Sequence, residues 1–135
     1  MSTAKTDDAN AFRYIANFRN ESDRKVEIIF WEYRFTEFAN PKNIVRRQFL
    51  CASKMKPGEK IELSAISLFG PSEVISADSL KDPDQKLFDE KILLNRIEFA
   101  DGAILQRRDW KMAEVKASVE KATAAPWGKE VCKML

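Results

Sequence analysis

Histidine is absent from this sequence of 135 residues. The absence excludes catalytic triads and dyads that use histidine as the base, and it excludes every metal site that has a histidine ligand. The two cysteines, Cys51 and Cys132, are too few for a four-cysteine zinc site, and no histidine can activate either of them as a nucleophile. The remaining residues indicate no catalytic group, no metal and no cofactor, so we expect a protein that is not an enzyme.

Glycine is scarce, and the four glycines stand singly at positions 58, 70, 102 and 128. The sequence therefore has no glycine-rich loop that could cradle a phosphate. Runs of about 18 apolar residues are also missing, which predicts that no segment inserts into a membrane. The formal net charge is only +2, from 23 basic and 21 acidic residues. Such a balance gives no electrostatic reason to expect a nucleic-acid partner.

The first ten residues, MSTAKTDDAN, are polar and lack the apolar segment of a signal peptide. We interpret residues 1–10 as a disordered or linker segment and residues 11–135 as a single domain, because a chain of this length can bury one core. Two locations stay open at this point. The protein is either cytoplasmic, or exported to the periplasm as a chain from which a leader has been removed.

Apolar side chains recur at every second residue along most of the chain, which is typical of strands with one buried face. The strongest segment is 25–38, in which β-branched and aromatic residues dominate. Its faces carry Ile29, Trp31, Tyr33 and Phe35 on one side and Val26, Ile28 and Phe30 on the other. We expect a central strand that is covered on both sides. The other predicted strands are 12–19, 44–51, 61–66, 73–77 and 87–100, the last with Leu93, Ile97 and Phe99 on one side.

The charged stretch RIEFADGAILQRRDW, residues 96–110, is either a charged site or a hairpin whose charges face water. Asp101-Gly102 favours the hairpin, because a type I′ turn needs positive φ at both central residues and this dipeptide tolerates it. The pairs expected across the turn are Phe99 with Ile104 and Glu98 with Leu105.

After Asp109 the apolar spacing becomes that of a helix, with Met112, Val115, Val119 and Ala122 on one face. Asp109 is predicted to cap this helix, and Pro126 and Gly128 to end it, which gives bounds of about 110–124. We expect the helix to cover an outer sheet face over Ile28 and Phe30, and the apolar tail after it to dock on the domain.

About seven strands separated by turns, followed by one helix, predict a mainly β fold. The expected architecture is an antiparallel two-sheet sandwich of the immunoglobulin-like type with a C-terminal helix.

Three segments carry a resemblance: Trp31-Glu-Tyr-Arg-Phe35, Lys56-Pro-Gly-Glu-Lys60 and Arg96-Ile-Glu-Phe-Ala-Asp-Gly102. In this order they resemble short uncharacterised bacterial proteins with an immunoglobulin-like or fibronectin III-like sandwich, over residues 12–108. The resemblance implies that fold and favours export, and it carries over no functional residue. The cysteine–tryptophan–cysteine order of antibody domains is absent, because Trp31 precedes both cysteines.

Cys51 and Cys132 are candidates for a disulfide, which would tie the tail to the sandwich in an oxidising compartment. The alternative is two reduced thiols, with Cys51 buried as a small apolar residue.

Acidic residues 78, 82, 84, 89 and 90 form a loop of the kind that can hold calcium, but the EF-hand pattern is missing and solvated charges explain them. Carboxylates able to form a hydrolytic pair are Glu32, Glu62, Glu98 and Asp101, which nothing in the sequence brings together.

Trp110 and Trp127 flank the predicted helix. Exposed tryptophans stack on sugars or anchor a partner protein, whereas buried ones belong to the core. We predict a non-enzymatic protein-interaction or structural module, which binds a partner protein or a second copy of itself through an edge strand or the C-terminal segment. The alternatives are a small-ligand or carbohydrate-binding domain that uses Trp110 or Trp127, and a hydrolase that uses carboxylates alone.

Overall fold

The computed structural model describes residues 2–5, 12–67, 86–127 and 131–135. These residues form eight strands, one 3-10 turn at Met112–Glu114 and one α-helix, α1, at Lys116–Ala124. The strands are β1 (Ser2–Lys5), β2 (Phe12–Arg19), β3 (Val26–Glu37), β4 (Ile44–Met55), β5 (Lys60–Ser67), β6 (Phe88–Phe99), β7 (Ile104–Gln106) and β8 (Cys132–Met134). The strand expected at 73–77 lies outside the described residues.

Two antiparallel sheets make up the fold, with strand orders β1-β2-β5 and β7-β6-β3-β4-β8. The prediction of a mainly β, two-sheet antiparallel sandwich with a short C-terminal helix is therefore confirmed. Residues 2–5 differ from their interpretation as a linker, because they form β1 and pair with β2 from Ser2 opposite Ile15 to Lys5 opposite Phe12. In the part of the chain that the structure describes, no helix is long and apolar enough to cross a membrane.

The aromatic side chains of β2, β3 and β4 fill the space between the sheets. Trp31, Tyr33 and Phe35 are at most 1% exposed, as the two-residue period predicts. The Trp31 and Phe49 rings lie 4.8 Å apart between centroids, and those of Tyr14 and Tyr33 lie 5.1 Å apart. Burying aromatic side chains of this size stabilises the fold by about 2–3 kcal/mol each, so this layer is a large part of the apolar driving force.

A second, smaller core lies on the outer face of the five-stranded sheet and consists of Phe30, Leu50, Trp110, Val115 and Ala122. The helix covers Phe30, and Ile28 packs against the same cluster, as expected. The helix begins at Lys116 rather than near residue 110, and the prediction that Asp109 caps it is wrong, because Val115 occupies that position without a side-chain cap. Residues 110–115 precede the helix, and Trp110 and Val115 of this segment pack into the outer core.

A β-bulge interrupts β3 near its start, between Val26 and Ile28. Val26 pairs with Phe99 and packs in the core between the sheets, whereas Ile28 packs against the outer core. The prediction that Val26 shares a face with Ile28 and Phe30 is therefore wrong. One extra residue on a bulged strand changes which face the following side chains point to.

A second bulge lies in β6, where Trp31 pairs with Leu94 while Phe30 pairs with Arg96. Asn95 is the additional residue. As a result Leu93, which pairs with Glu32, points to the outer face, whereas Ile97 packs against the core between the sheets. The prediction that Leu93 lies on the same side as Ile97 and Phe99 is wrong for this reason.

The hairpin of β6 and β7 is confirmed, but its turn differs from the one expected. The Gly102 amide donates to the Phe99 carbonyl at 3.0 Å, and the Phe99 amide donates to the Ala103 carbonyl at 2.9 Å. Gly102 has φ +89°, and no described residue other than glycine has positive φ. The turn is therefore a three-residue loop with glycine in the left-handed position, not type I′. The observed pairs are Glu98 with Ile104 and Ile97 with Leu105.

The C-terminal strand β8 pairs with β4 at the edge of the five-stranded sheet. Lys133 also reaches the end of α1, where its Nζ donates to the carbonyls of Ala122 at 2.7 Å and Ala125 at 2.9 Å. These carbonyls have no partner within the helix, and the lysine charge also complements the negative end of the helix dipole. The tail therefore holds both the sheet edge and the helix.

Candidate functional site

Glu32 lies in the middle of the central strand β3, on the outer face of the five-stranded sheet beside the core that α1 covers. Its side chain is fully buried. Burial of a carboxylate destabilises a protein unless the group is paired and hydrogen-bonded. The stability of the fold therefore depends on the polar partners of Glu32.

Three arginines converge on this carboxylate. Arg46 on the neighbouring strand makes a two-point contact, with Nε 2.9 Å from Oε2 and Nη2 2.8 Å from Oε1. Arg34 on the same strand donates from Nε at 3.1 Å, and Arg107 donates from Nη2 at 3.3 Å. Fork-to-fork pairs such as that of Arg46 are the strongest of the common charged hydrogen bonds.

Neutral side chains complete the polar cluster. The bulge in β6 turns Asn95 toward the outer face, where its Nδ2 donates to Glu32 Oε1 at 3.0 Å. The side-chain oxygen of Asn95, Oδ1, in turn accepts from Arg107 Nη2 at 2.9 Å. Gln48 accepts from Trp110 Nε1 at 2.9 Å. The charged stretch 96–110 is thus a hairpin followed by a segment whose Arg107 and Trp110 fasten it to the sheet.

The surroundings of Glu32 set its protonation. Burial alone would raise the pKa of this carboxyl. The hydrogen bonds from Arg46 and Asn95, together with the positive charges of Arg46 and Arg34, outweigh burial and hold the pKa below its ordinary value. The hydrogen bonds to Glu32 likewise raise the pKa of the Arg46 guanidinium. Glu32 is therefore a fixed negative charge at neutral pH and a poor proton donor or acceptor.

Beside this cluster, positive side chains stand next to one another on three adjacent strands. Arg34 lies directly opposite Arg46 of β4 and directly opposite Lys91 of β6. We call Arg46, Arg34 and Lys91 the cationic row. Like charges at directly opposite positions destabilise a sheet, so this arrangement needs negative charge near it. Glu32 supplies one such charge, and Glu114, 3.2 Å from Arg46, and Asp89, 3.9 Å from Lys91, supply two more.

A separate apolar cleft of about 270 Å³ opens between the two sheets near the β6–β7 hairpin. Its apolar lining includes Phe18, Met55, Leu94, Ile97, Phe99 and Leu105. Leu105 is 60% exposed and Leu94 is 37% exposed, although both point to the inner side of their sheet. Among the described residues the five-stranded sheet is wider than the three-stranded sheet, which leaves part of its inner face uncovered here.

Strand β2 borders this cleft and has a half-open edge. On the β5 side all its residues from Phe12 to Arg19 are paired. On the other side β1 pairs only with residues 12–15, and no described strand pairs with 16–19. Phe18, which lines the cleft, lies on this unpaired part. An unpaired strand edge next to exposed apolar surface is a ready place for a further strand.

The two cysteines are brought together by the pairing of β4 with β8. Cys51 lies directly opposite Cys132, and the structure contains the disulfide between them, which spans 81 positions of sequence. Cys51 is fully buried, and Trp31 Nε1 donates to its sulfur at 3.0 Å. The bond joins two strands of one sheet, so it does not link the two sheets as an antibody disulfide does.

The four candidate carboxylates occupy different surroundings. Glu32 is bound by the three arginines, Glu98 pairs with Arg96 at 2.9 Å, and Asp101 lies 3.5 Å from Arg24. Glu62 is exposed on the other sheet.

No group of three histidine, cysteine or acidic residues suited to a metal ion occurs within the described residues. Acidic positions 78, 82 and 84 of the candidate calcium loop lie outside those residues.

The tryptophans also differ. Trp110 is 1% exposed and packs edge-on against Phe30 at 5.5 Å, so its ring offers no face to a sugar or a partner. Trp127 is 37% exposed, and Lys133 Nζ lies 4.4 Å from its ring centroid. Of the two, Trp127 alone remains accessible for binding.

Sequence reasoning did not find the arginine–glutamate cluster. Glu32 could have indicated this cluster, because it is an acidic residue between apolar neighbours in a strand that is expected to be covered on both sides. A charge at such a position needs a buried counter-charge. Arg46 could have been found from the pairing of β3 with β4, whereas Arg107 lies 75 positions away and reaches Glu32 through the hairpin.

Comparison of the chain with protein-family models, with curated proteins and with solved structures finds no match to any of them.

Proposed function

We propose that this domain is a non-enzymatic interaction module that binds an extended segment of a partner protein along the half-open edge of β2. The observation that carries the proposal is the coincidence of that edge with the apolar cleft. A strand added next to residues 16–19 would gain backbone hydrogen bonds from β2. Every second side chain of the added strand would enter the cleft between Phe18 and Leu105. Addition of a strand to a sheet edge is a common mode of peptide recognition.

The exposure of inner-face leucines supports this proposal. Leu94 and Leu105 have the orientation of core residues, but the described residues leave them open to solvent. Complete burial of the exposed apolar surface would stabilise a complex by roughly 1.5 kcal/mol at Leu94 and roughly 2.5 kcal/mol at Leu105, before the cost of association. The expected partner segment therefore has apolar residues at alternate positions.

Leu105→Glu is expected to abolish binding of extended peptides, because it places a charge in the apolar cleft. The measurement is selection of peptides from a random displayed library against the unchanged protein, followed by titration of the selected peptides against each variant. Affinity is expected to fall at least about tenfold, since losing one buried leucine contact costs about 1.4 kcal/mol or more.

The matched control is Ile104→Glu, since Ile104 is the neighbouring residue, is 54% exposed and points to the other face of β7. This variant should bind the selected peptides normally. Peptides that bind both variants equally, or a selection that enriches no alternating apolar sequence, would contradict the proposal. Light scattering measures whether the unchanged protein is a dimer. A dimer that becomes a monomer in Leu105→Glu would identify a second copy of the chain as the partner.

We also propose that the sandwich belongs to the immunoglobulin-like type. The strand orders support this, since β1-β2-β5 and β7-β6-β3-β4 correspond to the A-B-E and G-F-C-C′ sheets of that architecture. Trp31 occupies the position of the buried tryptophan on strand C, and it packs against a disulfide, although a different one. Fold likeness alone assigns no function.

Carbohydrate binding is the second candidate function, and it rests on the exposure of Trp127. A sugar that stacks on this ring should change the tryptophan fluorescence, and Trp127→Ala should remove the change. Trp31 and Trp110 are buried and serve as an internal reference in both proteins. A glycan array identifies the sugars to titrate. A fluorescence response to the sugar that persists in Trp127→Ala would contradict sugar binding at this ring.

A further inference from the structure

Arg34 has hydrogen-bonding capacity that the described residues leave unused. Its Nε donates to Glu32, which fixes the plane of the guanidinium. Neither Nη1 nor Nη2 has a partner among the described residues, and the side chain is 27% exposed. A guanidinium that is already held in one orientation loses little further freedom on binding a ligand, so the two Nη groups are available as donors to an added oxyanion at low entropic cost.

The charges around Arg34 favour an anion at this place. Four cations face one another on this part of the sheet: Arg34, Arg46, Arg107 and Lys91. The acidic groups that face them are Glu32, Glu114 and Asp89. Counted over the described residues, one positive charge therefore remains in excess. The Lys91 side chain is 65% exposed, and its ion pair with Asp89 is long at 3.9 Å, so the ammonium remains available to an added anion.

The position of the row leaves access for a ligand. The outer core and α1 cover the part of the sheet around Phe30 and Leu50. The cationic row lies farther along the same strands, beyond Glu32, where the side chain of Arg34 is 27% exposed and that of Lys91 is 65% exposed. An anion there would be shared by two strands and would relieve the repulsion between the opposed cations.

We propose that Arg34 and Lys91 form a binding site for an oxyanion group, a phosphate or a carboxylate. The Nη atoms of Arg34 supply a planar pair of donors that matches two oxygens, and Lys91 supplies a flexible charge beside them. This site is independent of the cleft between the sheets, since it lies on the opposite face of β3.

The test is a titration of the folded protein with inorganic phosphate, with ionic strength held constant by sodium chloride. A second titration uses acetate. Two-dimensional ¹H–¹⁵N spectra report the Nε–H groups of the arginines and the backbone amides of residues 32–34 and 90–92. Saturable shifts at Arg34 with phosphate identify a phosphate site, and saturable shifts with acetate identify a carboxylate site. Shifts that do not saturate in either titration would overturn the proposal.

Variants assign the effect to these residues. Arg34→Gln should weaken binding of the effective anion at least about tenfold, as expected for loss of a charge-assisted hydrogen bond. Lys91→Gln should weaken it about threefold to tenfold. Lys60→Gln, the same change at an exposed lysine of the three-stranded sheet, should leave affinity unchanged.

Lys91→Gln decides the matter if Arg34→Gln does not fold. Among the described residues Lys91 contacts Asp89 alone by charge, so its replacement should leave the fold intact. Equal affinity of Lys91→Gln and the unchanged protein for phosphate and for acetate would overturn the assignment.

Discussion

Replacement of Glu32 by glutamine is expected to destabilise the domain by about 3 kcal/mol at pH 7. The change leaves Arg34, Arg46 and Arg107 without their shared negative charge in a partly buried position. Removing one partner of a buried ion pair costs about 3–5 kcal/mol. The lower end applies here, because each arginine is 25–29% exposed and can regain some water.

The measurement is urea unfolding of both proteins, with Glu98→Gln as the matched control. Glu98 pairs with Arg96 on the same sheet face, but its side chain is 31% exposed, so its loss should cost less than about 1 kcal/mol. Equal midpoints for Glu32→Gln and Glu98→Gln would show that the arginine cluster contributes little to stability.

The same comparison predicts a pH dependence. The pKa of Glu32 is lowered in the folded protein from an ordinary value of 4.5. A carboxyl with a depressed folded pKa contributes stability that is present above its unfolded pKa and is lost as pH falls through the folded pKa. The stability gap between the unchanged protein and Glu32→Gln should therefore be constant from pH 7 to about pH 5.5 and should narrow below pH 4.5. A gap that stays constant down to pH 3 would contradict the lowered pKa.

Reduction of the disulfide between Cys51 and Cys132 is expected to have the largest single effect on stability. The bond spans 81 positions, and the chain-entropy model gives a loss of about 4.5 kcal/mol when a loop of that length is released. Whole domains are stable by only about 5–15 kcal/mol, so reduction can remove a third or more of the total. The check is the urea midpoint with and without a thiol reductant.

The double variant Cys51→Ala/Cys132→Ala is the control for this effect. It should not respond to the reductant, and it should be no more stable than the reduced protein, because alanine at position 51 also removes the sulfur that accepts from Trp31 Nε1. Mass determination after treatment of the native, unreduced protein with an alkylating agent gives an independent check. Two alkylated cysteines in that sample would show that the bond is absent in solution.

Much of the fold could be predicted from the sequence, because the spacing of side chains records which face of a strand is buried. Trp31, Tyr33 and Phe35 occupy the core as their two-residue period predicts. The helical spacing after Asp109 likewise predicts that Val115 and Ala122 pack on the sheet. These patterns are local, and they require no knowledge of which strands are neighbours.

The features that escaped prediction depend on neighbours. Nothing in the local composition marks the bulges in β3 and β6. Only the strand pairing shows that Val26 lies on the inner face and Leu93 on the outer face, each opposite to the face predicted from spacing. Asp101-Gly102 fits several hairpin turns, and the hydrogen bonds of Phe99 decide among them. The site beside Glu32 depends on Arg107, which only the completed sheet brings near. Sequence spacing alone could therefore not locate it.

The bulge at Asn95 gives β6 one position at which the strand can lose a residue without turning its neighbours over. Deletion of Asn95 would restore a regular alternation in which Arg96 still points outward and Ile97 inward, although Glu32 would lose the Asn95 amide as a donor. Deletion or insertion of a residue elsewhere in β6 would instead move every side chain between that point and the end of the strand to the wrong face. Related sequences should therefore gain or lose residues at position 95 or in the Ala100–Gly102 loop, and elsewhere in β6 they should differ by substitution alone.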